Sequence, residues 1–151
     1  MLEKVTRQIP SMLSYKIHVE NESLYNTPPC LTVYACLQTL KWLKDLGGVK
    51  AMHKINLDKA KLLYDEIDRN KYFVGPVNNA EDRSIMNVTF VMKDEYKDLE
   101  TKFQELASAR GLIGIKGHRS VGGFRASIYN AMPVEGIKAL ITAMRDFEKQ
   151  M

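Results

Sequence analysis

The stretch Ser84-Ile85-Met86-Asn87-Val88-Thr89-Phe90-Val91-Met92 decides the fold. Met86, Val88, Phe90 and Met92 alternate with Asn87 and Thr89, the period of two expected where successive side chains leave a strand on opposite faces. A strand over about 84–92 therefore has one apolar face to bury. Its flanks carry the helical period instead. Upstream, Val49, Met52, Ala60, Leu63 and Ile67 form a stripe broken at Asn56, which predicts a helix ending near Asn70. Tyr72–Val74 then reads as a short partner strand. Downstream, Tyr96, Leu99, Phe103, Leu106 and Ala107 predict a helix ending near Gly111, with Leu112–Ile115 as a short apolar strand after it.

Further out the pattern continues. Thr27 before Pro28 and Pro29 is a helix start, because a threonine hydroxyl caps orphan amides and proline suits the first turn. Val33, Cys36, Leu37, Leu40 and Leu43 carry that helix to about Leu46, where Gly47-Gly48 supplies a left-handed end. Near the C-terminus, Phe124, Ala126 and Ile128 alternate with Arg125, Ser127 and Tyr129 as a strand. Pro133 opens a last helix with Ile137, Leu140, Ile141, Met144 and Phe147 inward. Strands with helices packed on one face make an α+β sandwich the expected architecture. Residues 1–23 show neither cap nor clean period, and read as a strand and irregular connector belonging to something larger.

The 151 residues, 45% hydrophobic and 26% charged, suffice for one domain with its own core. The net charge of +4 comes from basic residues spread among acidic ones, a distribution compatible with small anions and giving no signal for nucleic acid or a membrane surface. Cys30 and Cys36 are six residues apart on one predicted helix, a rise of about 9 Å that excludes a disulfide between them. They are expected as reduced core thiols of a cytoplasmic protein. No apolar stretch approaches the length of a membrane span, and charge interrupts residues 1–10 where a signal peptide is apolar.

The densest chemical signal is Lys116-Gly117-His118-Arg119, followed by Gly122-Gly123-Phe124-Arg125. Glycines admit a ligand close to the backbone, and two guanidinium forks match phosphate or carboxylate oxygens in pairs. With Phe124, Ala126 and Ile128 inward, Arg125 emerges on the polar face beside the glycine loop. One site could then hold a dianionic ligand, with His118 as an added donor. The competing reading is a plain glycine turn with solvated basic residues. A second candidate is Tyr25-Asn26-Thr27, a hydroxyl and an amide ahead of a helix N-terminus, where phosphate binds readily but where plain capping is the commoner outcome. His18 and His53 have no metal-ligand spacing. No motif supplies a catalytic nucleophile, metal cluster or phosphate loop, so the chain reads as a binding half without catalytic residues.

The run from Gly117 to Pro133, Gly-His-Arg-Ser-Val-Gly-Gly-Phe-Arg-Ala-Ser-Ile-Tyr-Asn-Ala-Met-Pro, closely resembles the C-terminal signature of the phosphoserine aminotransferase family of class V. Tyr25-Asn26-Thr27-Pro28-Pro29, Trp42-Leu43 before Gly47-Gly48, and Arg83-Ser84 before Met86-Asn87-Val88 resemble that family at matching relative positions, so the resemblance covers essentially the whole chain. It implies a homodimeric, fold-type-I, pyridoxal-phosphate-dependent enzyme. That enzyme moves an amino group between glutamate and 3-phosphohydroxypyruvate, giving 2-oxoglutarate and phosphoserine for serine biosynthesis, and serves pyridoxine biosynthesis in many bacteria. Carried over, Arg125 grips the substrate α-carboxylate, His118 and Arg119 bind its phosphate end, and Asn26 and Thr27 reach the cofactor phosphate of the other subunit.

The family's Schiff-base lysine, the aspartate facing the pyridine nitrogen and the aromatic residue stacked on the ring all lie upstream of the matched segment and have no counterpart here. The expectation is a C-terminal small domain over 24–151 with a lead-in over 1–23 from a large domain. Its fold is α+β, a small mostly antiparallel sheet with helices packed on one face. Alone, such a chain is expected to be inactive, not to hold pyridoxal phosphate, and to expose apolar helix faces. The alternatives are a stand-alone, non-catalytic module that binds phosphoserine or a similar small anion, and a class V aminotransferase of other specificity.

Overall fold

The computed structural model describes residues 7–151, which divide after Asp45 into two compact units. In the second, Leu46–Met151, the decisive stretch forms a strand, β2 (Asn87–Met92), at the centre of a three-stranded antiparallel sheet. The short β1 (Phe73–Val74) flanks it on one side, with Phe73 opposite Met92. On the other lies β3 (Phe124–Ser127), with Thr89 opposite Arg125 and Asn87 opposite Ser127. Val88, Phe90 and Met92 are buried while Asn87, Thr89 and Val91 are half-buried, so the alternation read from the sequence becomes an inner and an outer face.

The helices of this unit cover the inner face. With α1 (Tyr15–Glu20) and α2 (Cys30–Asp45) in the first unit, they are α3 (Gly48–Arg69), α4 (Glu100–Ala109) and α5 (Val134–Gln150). Ala60, Leu63 and Ile67 of α3, Phe103 and Ala107 of α4, and Ile137, Leu140, Met144 and Phe147 of α5 close on Val88, Phe90, Phe124 and Ala126. Phe73 sits at the middle of an aromatic group, edge-on to Phe90, Phe103 and Phe124 at 4.7 to 6.2 Å between ring centroids. Each such ring removes large apolar area from water and gains a further edge-to-face attraction.

Two elements differ from expectation here. Leu112–Ile115 is not a strand: Gly111 and Gly114 both adopt positive φ, at 76° and 77°, and break the run before it can extend. Only Lys116 reaches the sheet, as a single antiparallel bridge to Phe124. The helix expected from Tyr96 begins instead as a 3-10 stretch over Asp94–Leu99 and becomes α-helical at Glu100.

The first unit holds α1 (Tyr15–Glu20) and α2 (Cys30–Asp45). The expected strand and connector in the lead-in contains, in its described part, a 3-10 turn at Ser11–Leu13 followed by α1, and residues 1–6 lie outside the described residues. Pro28 and Pro29 precede α2 as expected, and Gly47, left-handed at φ 104°, follows its end. No residue of α2 is buried. Cys30 and Cys36 are free, exposed thiols and not core residues, because the apolar stripe they belong to, with Val33, Leu37 and Leu40, stands open.

Candidate functional site

The loop between Lys116 and Phe124 is a closed hairpin. Gly117 N–H donates to the Gly123 carbonyl at 2.8 Å, and Arg125 N–H to that of Ile115 at 2.7 Å. Within it the His118 carbonyl accepts from Val121 and Gly122 at 3.0 and 2.8 Å. Glycine is required at Gly123, where φ is +64° and an added Cβ would lie 2.6 Å from Val91 Cγ1. The hairpin thus presents His118 and Arg119 at its turn and leads directly into the strand that carries Arg125.

Arg125 lies on the outer face of β3, exposed, as the alternation predicts. The other arginines of the second unit give the comparison that matters. Arg69, Arg83, Arg110 and Arg145 each bind a carboxylate at 2.6 to 2.8 Å. Among the described residues, neither Arg119 nor Arg125 has a side-chain hydrogen bond or ion pair with the protein. Two guanidinium forks without a protein partner and an exposed imidazole thus lie on one hairpin, groups whose chemistry suits an anion.

Beside Arg125 the outer face carries a group that the sequence reading passed over. Asn87 donates from Nδ2 to the Tyr129 hydroxyl at 2.9 Å, and Ser127 Oγ donates to Asn87 Oδ1 at 3.2 Å. Its only sequence signal is parity, since Asn87, Ser127 and Tyr129 fall on the polar side of their strands. A second omission lies beneath the strand's exit. Lys59, fully buried in α3, donates to the carbonyls of Ile128, Tyr129 and Met132 at 3.1, 2.8 and 3.0 Å, and burial lowers its pKa. The nearby Asn56, read only as a break in an apolar stripe, donates to Asn130 Oδ1 at 2.8 Å.

Arg83 and Ser84 turn out to hold the entry of β2. Arg83 pairs with Asp68 and lies over the Tyr64 ring at 4.9 Å, and Ser84 Oγ accepts from the amides of Met86 and Asn87. A cavity of about 380 Å³ opens between the 111–115 segment, β3 and the start of α5, lined mainly by apolar residues with Arg125 and Ser127 on its wall.

Asn26 and Thr27 belong to the first unit, both exposed ahead of α2. Asn26 Nδ2 has only a weak contact at 3.5 Å to the Met12 sulfur. The Thr27 hydroxyl makes no hydrogen bond among the described residues, so the expected cap is not formed and its oxygen is free for a ligand. Among the described residues no group of three or more His, Cys, Asp or Glu could hold a metal ion, and no helix is long and apolar enough to cross a membrane.

Residues 6–140 match the family model of Aminotransferase class-V. The chain is 63% identical over 149 residues to a phosphoserine aminotransferase of Azobacteroides pseudotrichonymphae, covering 99% of this chain and 41% of that protein. It is 59% identical over 148 residues to that of Porphyromonas gingivalis, covering 98% and 41%. Among solved structures it is similar to the phosphoserine aminotransferase of Bacillus circulans subsp. alkalophilus, with TM-score 0.84, 43% identity and coverage of 94% and 39%. It is also similar to the PLP-bound enzyme of Trichomonas vaginalis, with TM-score 0.81, 42% identity and coverage of 93% and 40%. The chain spans about two-fifths of the length of the relatives it matches.

Proposed function

The chain belongs to the class-V aminotransferase family, and we propose that it is the substrate-gripping, C-terminal small domain of a pyridoxal-phosphate-dependent phosphoserine aminotransferase. Residues 24–151 form that domain and 1–23 lead into it. The intact protein is a cytoplasmic homodimer that exchanges an amino group between glutamate and 3-phosphohydroxypyruvate, for serine biosynthesis and, in bacteria, for pyridoxine biosynthesis. The observation that carries this reading is the pair of uncommitted guanidinium forks, Arg119 and Arg125, on one rigid hairpin with His118.

A substrate with a carboxylate at one end and a phosphate at the other needs two separated anion clamps. Arg125 supplies the carboxylate clamp in bidentate form. His118 and Arg119 supply the phosphate clamp. Because the hairpin is closed by main-chain hydrogen bonds and backed by the sheet, these groups are oriented before the substrate arrives, which reduces the ordering cost of productive binding. The exposed Asn26 amide and free Thr27 hydroxyl ahead of α2 fit the cofactor's phosphate, across the dimer, and nothing else of the cofactor. When bound, pyridoxal phosphate supplies the electron sink for the transfer. The residues of this chain bind and orient, and the Schiff-base lysine lies in the part of the relatives that this chain does not span. In a protein of the relatives' length, the open apolar side chains of α2 would be covered.

The test is turnover of glutamate and 3-phosphohydroxypyruvate. The 151-residue chain alone is expected to show none, and a protein of the relatives' length carrying this segment is expected to be active. Replacing Arg125 with Ala in that longer protein should lower kcat/KM by at least two orders of magnitude, on the order of 3 kcal/mol. An unchanged kcat/KM would refute the role of Arg125, and turnover by the short chain would refute the division of labour.

A further inference from the structure

Ser120 holds the His118 ring by its Nδ1 atom in two ways. Its main-chain N–H donates to Nδ1 at 3.3 Å, and its hydroxyl oxygen lies 2.8 Å from the same nitrogen. A main-chain N–H can only donate, so Nδ1 must offer its lone pair, and the hydroxyl proton can be donated there as well. The one ring proton of a neutral imidazole is then left on Nε2. Among the described residues Nε2 has no protein partner, and the side chain is exposed. The backbone beneath is fixed too, since the His118 carbonyl already closes the turn to Val121 and Gly122.

We propose that Ser120 is a positioning residue that fixes His118 as the Nε2–H tautomer and turns that N–H outward as a donor to the phosphate end of the substrate. This rests on the reading of His118 and Arg119 as the phosphate clamp. Tautomer matters here because the two forms act with opposite sign on an anion. With the proton on Nε2 the ring donates to a phosphate oxygen while remaining neutral. With the proton on Nδ1, Nε2 would present a lone pair to a negatively charged oxygen and lose the bond. Two donors aimed at Nδ1 exclude that second form without requiring the ring to be charged, and they also restrain its rotation, so the donor is in place before the ligand binds.

The experiment is nitrogen NMR of the 151-residue chain with labelled histidine, under conditions where the ring is neutral, with inorganic phosphate as the probe. His118 is assigned against His18 and His53 by a His118→Ala variant. The expected spectrum has a lone-pair-type Nδ1 and a proton-bearing Nε2 for His118. In Ser120→Ala the Nδ1 resonance should move toward that of a nitrogen accepting fewer bonds, and phosphate affinity should fall about fivefold, the equivalent of one ordinary hydrogen bond. Ser120→Thr, which keeps the hydroxyl, should restore both, a rescue that a loss of folding would not permit. A proton on Nδ1 of His118 in the unaltered chain, or an Nδ1 resonance indifferent to loss of the hydroxyl, would overturn the proposal. An unchanged phosphate affinity in His118→Ala would instead overturn the phosphate-clamp reading on which the donor role depends.

Discussion

Lys59 donates from Nζ to the carbonyl of Tyr129 at 2.8 Å, from a side chain with no solvent exposure. With its bonds to Ile128 and Met132, this ties the middle of α3 to the turn through which the Arg125 strand passes into α5. No carboxylate faces the ammonium in these bonds. Three carbonyl oxygens stabilise it instead, at a position where unsatisfied acceptors would be costly. Lys59→Met keeps the length and apolar stem but leaves those carbonyls without their donor. It should lower unfolding stability by about 2 kcal/mol, read as a drop in the urea midpoint, and it should loosen amide exchange at Tyr129 and Met132.

Glu66 gives the unit a defined acid sensitivity. Burial alone would push its carboxyl up, but donation from Arg69, Arg145 and Asn70 outweighs that and holds it below its ordinary value of 4.5. A carboxyl depressed in the folded state adds stability above its unfolded pKa, and that stability is lost as pH falls through the folded one. Unfolding midpoints measured from pH 7 to pH 3 should therefore decline below about pH 4.5. Glu66→Gln should be less stable at neutral pH and show a flatter acid limb. An identical acid limb in the variant would contradict the assignment.

Gly123 couples the 116–124 hairpin to the sheet. Its φ of +64° disfavours any side chain, and a Cβ would also meet the Phe90 carbonyl at 2.9 Å. Gly123→Ala should cost roughly 2 kcal/mol of stability and weaken inorganic phosphate binding, both measurable on the same sample. Gly122→Ala has positive φ but open space around it, so it should be the milder substitution.

Cys30 and Cys36 should both react with a thiol reagent in the native 151-residue chain, without denaturant, because both are exposed. Mass spectrometry after brief alkylation counts the labels. Protection of either cysteine would show that α2 is covered in solution.

Much of the second unit was legible from residue spacing. Val88, Phe90, Met92, Leu63, Ile67, Phe103, Met144 and Phe147 are core residues at the positions their periods assign, because a strand or helix with one buried side must repeat its apolar residues with its own geometry. Arg125 on the outer face follows from the same parity. Val49 and the 112–115 run misled: the first begins an apolar stripe yet is 73% exposed, and the second is apolar but has a left-handed glycine just before it, Gly111, and another within it, Gly114.

By itself, then, the sequence determined most elements of the second unit and their inward faces, the glycine and arginine signature and, through that signature, the family. Only the tertiary structure decided which polar groups meet: Lys59 beneath the Tyr129 turn, Asn87 against Ser127 and Tyr129, and Ser120 on the His118 ring. It also decided that α2's apolar stripe stands open. The physical reason is that periodicity is a property of the local backbone and is written in consecutive residues. A hydrogen-bond partner or a covering surface depends on where distant segments come to rest.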